Sequence, residues 1–127
     1  MHWAYFCVME IKGAVVSGVG EGKWYVEKYL PYFEQTLGFT CYPGTLNIKV
    51  LKALDFNGAK KITITPEEKN LVTVDCYLVL ISGVYDGAVV IPHVTRHGKE
   101  IVELIAAVNL REELKLKDGD EVACELV

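Results

Sequence analysis

The run Ser17-Gly18-Val19-Gly20-Glu21-Gly22-Lys23 carries the first chemical signal. Three glycines within five positions let the main chain take positive φ and turn several N–H groups inward, which forms a concavity for phosphate oxygens. Lys23 adds a point charge beside it. The spacing differs from the familiar phosphate loops. A Walker loop needs glycine at 17 and Ser or Thr at 24, where this chain has Ser17 and Trp24. The dinucleotide and protein-kinase patterns need their third glycine at 23, where Lys23 stands. A flexible hairpin is the competing reading.

The second signal is Tyr42-Pro43-Gly44-Thr45-Leu46-Asn47-Ile48-Lys49. On a strand, Thr45 and Asn47 project from one face while Leu46 and Ile48 enter the core. A hydroxyl and an amide carbonyl are hard oxygen donors of the kind Mg²⁺ accepts, and being neutral they leave the metal's charge for nucleotide phosphates. A plain strand entered through a Pro-Gly turn is the alternative. His93 and His97 lie in one loop with no carboxylate pattern around them, which reads as surface.

The elements that must position these groups are mostly strands. Residues 6 to 17 are apolar and β-branched up to Gly18, and Val72 to Leu80 alternates with period two. Ile62 to Thr65 ends at Pro66, and Ala88 to Ile91 ends at Pro92. Val122, Cys124 and Leu126 alternate after the turn Lys117-Asp118-Gly119-Asp120. Two helices are expected. Pro31 suits a first turn, with Tyr32 to Leu37 following and Gly38 as the stop. Asn109 caps a second helix, with Glu112 three residues on. Glu100 to Ala107 fits either a helix face or a strand. Six or so short strands point to a small β-barrel.

Composition bounds the rest. The 127 residues suit a single domain, and 51% hydrophobic with 24% charged residues is globular. The net charge of -4 speaks against a nucleic-acid coat, and no apolar stretch approaches the roughly 20 residues of a membrane span. Trp3 to Met9 has no basic residue ahead of it and ends at Glu10 and Lys12, so a first strand is expected there rather than a targeting segment. Cys7, Cys41, Cys76 and Cys124 form no Cys-x-x-Cys pair, which leaves zinc without support and favours free thiols in a reducing cytoplasm.

Taken together, the glycine run from Gly13 to Lys23, Leu37-Gly38-Phe39, Tyr42 to Asn47, Asp86 to Pro92, and Asn109-Leu110-Arg111-Glu112 through Asp120 resemble the archaeal CTP-dependent riboflavin kinase family, in its order and near its spacing. The resemblance implies a six-stranded cradle-loop β-barrel with one or two short helices, occupying residues 1–127 as a single domain. It implies transfer of the γ-phosphoryl group of CTP to the 5′-hydroxyl of riboflavin, giving FMN and CDP. Gly18, Val19, Gly20, Glu21, Gly22 and Lys23 would hold the nucleotide, with Val108, Asn109, Leu110 and Arg111 around the cytidine. Thr45 and Asn47 would bind Mg²⁺, and Thr95 and Glu103 the flavin. Some members carry an N-terminal winged-helix domain, and the expectation here is a barrel without one. Arg111 would pair with phosphate or cap the following helix. Glu103 is the candidate base, with Glu100 as its neighbouring competitor. Small swapped-hairpin barrels ending in a segment like Leu116 to Val122 also serve as DNA-binding or assembly modules. The acidic balance argues against that alternative.

Overall fold

The computed structural model describes residues 9–18, 22–94 and 98–127. Seven strands and two helices follow in order: β1 (Glu10–Val16), α1 (Gly22–Leu37), β2 (Leu46–Lys49), β3 (Ile62–Ile64), β4 (Val74–Ile81), β5 (Tyr85–Pro92), β6 (Ile101–Ala106), α2 (Leu110–Glu113) and β7 (Glu121–Leu126). Six strands, β4-β5-β6-β2-β1-β7, form a closed ring because β7 pairs back onto β4. All of the pairings are antiparallel. One edge of β4 is shared. Its first residues, Val74 to Cys76, pair with β3, and its last, Val79 to Ile81, pair with Leu126 to Cys124 of β7. The strand β3 therefore lies outside the ring.

Strand alternation divides the apolar residues between two cores. Ile11, Val15, Ile48, Val79, Ile81, Leu104 and Val122 fill the barrel. The opposite faces of β4, β5 and β6 present Val74, Cys76, Ala88, Val90 and Ile105, which α1 covers with Val26, Tyr29, Phe33 and Leu37. Those four helix residues are spaced by three, four and four, a single apolar stripe. Tyr29 Oη also donates to Val72 O at 2.7 Å, and Tyr32 Oη donates to the Glu68 carboxylate. No described helix is long and apolar enough to cross a membrane.

One expectation needs correction. The first helix begins at Gly22 rather than near Pro31, so Pro31 lies inside it on the exposed face. Gly22, the last glycine of the run, is consequently a helical residue, while Val19, Gly20 and Glu21 lie outside the described residues. Of the two readings open for Glu100 to Ala107, residues 101–106 take the strand. The other elements fall as expected: Gly38 ends α1 at φ 82°, Gly119 turns at φ 94°, and Asn109 caps α2, its side chain accepting from Glu112 N–H at 3.3 Å. Cys41, Cys76 and Cys124 are buried free thiols. Cys7 lies outside the described residues, as do Trp3 to Val8.

Candidate active site

One row of paired residues crosses the outer face of the sheet. Cys76 pairs with Val90, Val90 with Glu103, Glu103 with Asn47, and Asn47 with Val16. Neighbouring strands lie about 4.8 Å apart, so Glu103 and Asn47 are adjacent although far apart in sequence. Beyond Val16 the chain runs into Ser17 and Gly18. A Cβ on Gly18 would collide with the Asn47 side-chain amide, so any larger residue there would have to displace that amide. Gly18, the start of the glycine run, and Asn47 thus meet at one point.

Thr45 immediately precedes β2 and shares a face with Asn47, while Leu46 and Ile48 are buried inside. Among the described residues no group of three His, Cys, Asp or Glu could hold a metal ion. Thr45 and Asn47 could offer two neutral side-chain oxygens here. That fits Mg²⁺, which keeps several waters and takes its remaining ligands from phosphates. Lys23 is largely exposed in the first turn of α1, 4.0 Å from Glu27 Oε1.

A polar network closes the other side of this corner. Ser17 Oγ donates to Asp118 Oδ2 at 2.6 Å, and Arg111 Nη2 donates to Asp118 Oδ1 at 3.0 Å. Arg111 Nη2 also reaches Val16 O at 3.5 Å. The Ser17 hydroxyl and then the Arg111 guanidinium hold the Asp118 carboxyl below the usual carboxylate range. Arg111 is thus tied to a carboxylate, and the cap of α2 is made by Asn109 instead. Asn109 Nδ2 donates to Tyr42 Oη at 3.0 Å, and Tyr42 N–H donates to Ala106 O at 2.7 Å. The Pro-Gly turn is locked by these bonds to the start of α2. Leu110 is buried and Val108 half-buried beside it.

After the Val90–Glu103 pair, β5 and β6 part. The gap between them holds a cavity of about 240 Å³, lined by Leu54, Phe56, Val89 to Pro92, Gly98, Lys99, Ile101, Val102 and Glu103. Its walls are apolar, and Phe56 stacks on Tyr77 with ring centroids 4.2 Å apart. Glu103 is the carboxylate on this lining. Glu100 is exposed, with its carboxylate folded back against Gly98. Thr95 and His97 lie outside the described residues, as do Val19, Gly20 and Glu21. The reading of His93 as a histidine without a carboxylate needs correction. Its Nε2 lies 3.1 Å from Asp75 Oδ2, while Thr63 Oγ1 donates to Asp75 Oδ1 at 2.8 Å.

A sequence model of the CTP-dependent riboflavin kinase domain, described as a domain of unknown function (DUF120), matches residues 15–126. The chain belongs to that family. It is 46% identical over 124 residues to a riboflavin kinase of Thermococcus kodakarensis, covering 92% of this chain and 58% of the relative. It is likewise 46% identical over 125 residues to a riboflavin kinase of Pyrococcus abyssi, with 92% and 58% covered. A riboflavin kinase of Sulfurisphaera tokodaii is 38% identical over 131 residues, with 94% and 96% covered. The chain thus spans little more than half the length of the first two relatives.

The stretch matched to the riboflavin kinase family also takes in groups that the sequence left unmarked. Asp118 reads as a turn residue, yet its carboxylate joins Ser17 to Arg111. Asp75 reads as the polar half of a strand, and Tyr42 as the lead into a turn. Each acquires its partner through strand register, which no local spacing announces. Tyr25, with a buried hydroxyl in α1, gave no signal beyond its place near the glycine run.

Proposed function

We propose that the protein is a CTP-dependent riboflavin kinase, transferring the γ-phosphoryl group of CTP to the 5′-hydroxyl of riboflavin to give FMN and CDP. The observation that carries this reading is the Glu103–Asn47 pairing. Glu103 lines the apolar cavity and lies one strand away from Asn47, whose amide abuts Gly18. An acceptor seated in the cavity and a triphosphate on the loop would meet at that pair.

The flavin ring would occupy the gap between β5 and β6, with Thr95 and Glu103 as its polar contacts. The main-chain N–H groups from Gly18 to Gly22, together with Lys23, would cradle the phosphates. Thr45 and Asn47 would hold Mg²⁺, which supplies charge neutralisation on the β- and γ-phosphates when bound. The carbonyls of Asn109, Leu110 and Arg111 accept from Glu113, Leu114 and Leu116 within and just after α2. The Val108 carbonyl is then the nearby main-chain acceptor for the cytosine amino group. In the transfer, the 5′-oxygen forms a bond to the γ-phosphorus as the bond to the β,γ-bridging oxygen breaks. Its proton leaves toward Glu103. A loose phosphoryl transition state needs alignment and charge stabilisation more than a strong base, which suits a carboxylate in this place.

The reading also assigns the protein to the cytoplasm, where its buried thiols stay reduced. A DNA-binding or assembly barrel has no use for a glycine loop held against Asn47. The test is incubation with riboflavin, Mg²⁺ and each nucleoside triphosphate in turn. FMN is expected with CTP and much less with ATP. Equal or faster turnover with ATP would remove the CTP assignment and leave the kinase reading standing.

A further inference from the structure

Among the described residues, Tyr25 Oη is a buried side-chain oxygen with no hydrogen-bond partner. Buried hydroxyls are nearly always paired, because an unmet one keeps its desolvation cost, and an exception at a binding site calls for a ligand. The ring is packed against Tyr29 and Phe33, with centroids 4.8 and 6.4 Å away.

The hydroxyl's surroundings place it on the transverse row. Burial, and then the charges of Tyr29, Glu103 and Cys76, push its ionisation well above the ordinary tyrosine range. Tyr25 packs against the cluster that holds Cys76 and Val90, and Val90 pairs with Glu103, so the helix lays this residue over that stretch of the sheet, where its phenol is a neutral donor and acceptor. Glu103, as a carboxylate, can only accept. An alcohol both donates and accepts, so one carboxylate cannot satisfy it. A carboxylate and a phenol together can.

We propose that the Tyr25 hydroxyl hydrogen-bonds the polyol chain of the flavin acceptor beside Glu103, making Tyr25 a specificity-determining residue for that chain. The inference rests on the kinase reading above and assigns a binding residue within it.

Tyr25→Phe removes only the hydroxyl and keeps the ring contacts. The unliganded variant should melt at the same temperature as the parent or higher, because it loses an unmet polar group. Its riboflavin dissociation constant, measured without nucleotide, should rise about tenfold. Binding of lumiflavin, which has the flavin ring without the polyol, should be unchanged. Unaltered riboflavin binding in the variant would overturn the inference, as would an equal loss for both flavins. If the parent binds riboflavin but makes no FMN, the kinase reading falls while the riboflavin-to-lumiflavin comparison still decides the role of Tyr25. A parent that binds neither flavin overturns both.

Discussion

Asn47 touches three parts of the site. It pairs with Glu103 on β6 and Val16 on β1, and its amide would have to shift for any side chain at Gly18. Thr45→Val is nearly isosteric and Asn47→Leu keeps similar volume, so both variants should fold with modest changes in stability. Each loses a hard oxygen donor. FMN formation should drop by orders of magnitude, because charge stabilisation by a bound metal is worth several kcal/mol. Riboflavin binding without nucleotide should barely change. Near-normal turnover of both folded variants at limiting Mg²⁺ would make these ordinary strand residues. Glu103→Gln should weaken flavin binding or turnover more than Glu100→Gln does, since Glu103 lines the cavity and Glu100 folds onto Gly98. Riboflavin titrations that rank the two in reverse would move the carboxylate's role to the turn. The shared face of Thr45 and Asn47 was legible because a two-residue spacing on a strand fixes it. Tyr25, Asp75 and Asp118 were not, because their neighbours come from other elements.

Helix α1 roofs one face of the barrel and carries both the end of the glycine loop and Tyr25. Phe33 is fully buried at its centre. Phe33→Ala should cost about 3–5 kcal/mol, read as a lower urea midpoint, since a helix over a sheet face has little freedom to collapse into the hole. An unchanged midpoint would show that the helix contributes little to global stability. The stripe Val26-Tyr29-Phe33-Leu37 was there to be read in the sequence. Glycines ahead of it and Pro31 within it masked the period, because both residue types ordinarily end helices. A proline on the exposed face forfeits one hydrogen bond, and the packing of the other face outweighs that loss. The uncertainty over residues 101–106 has a related cause. Leu104, Ile105 and Ala106 are all buried because β6 has the barrel on one side and α1 on the other, which erases alternation.

At the scale of the molecule, closure of the ring depends on three pairs, Val79–Leu126, Leu80–Glu125 and Ile81–Cys124. Strand number and turn positions were readable locally. The return of β7 to β4 was not, because register over that distance is set by the two cores. Cys124 sits in this seam, its thiol pushed up to about 12 by burial, and Cys76 is likewise raised to about 12. Since an unfolded thiol ionises near 9.0, the unfolded chain releases protons first as pH rises. The stabilisation is complete below about pH 9 and drains away toward pH 12. Urea midpoints should therefore fall between about pH 8 and pH 10.5, and Cys124→Ala, though less stable, should show a shallower fall. Parallel slopes for the two proteins would assign the alkaline loss to other groups. The order of the ring also bears on how the molecule is made. Strand β1 takes one neighbour from β2 and the other from β7, the last described strand to be synthesised. A nascent chain on the ribosome therefore carries β1 with an open hydrogen-bonding edge until translation has passed residue 126, and the cell must keep that edge from a wrong partner throughout.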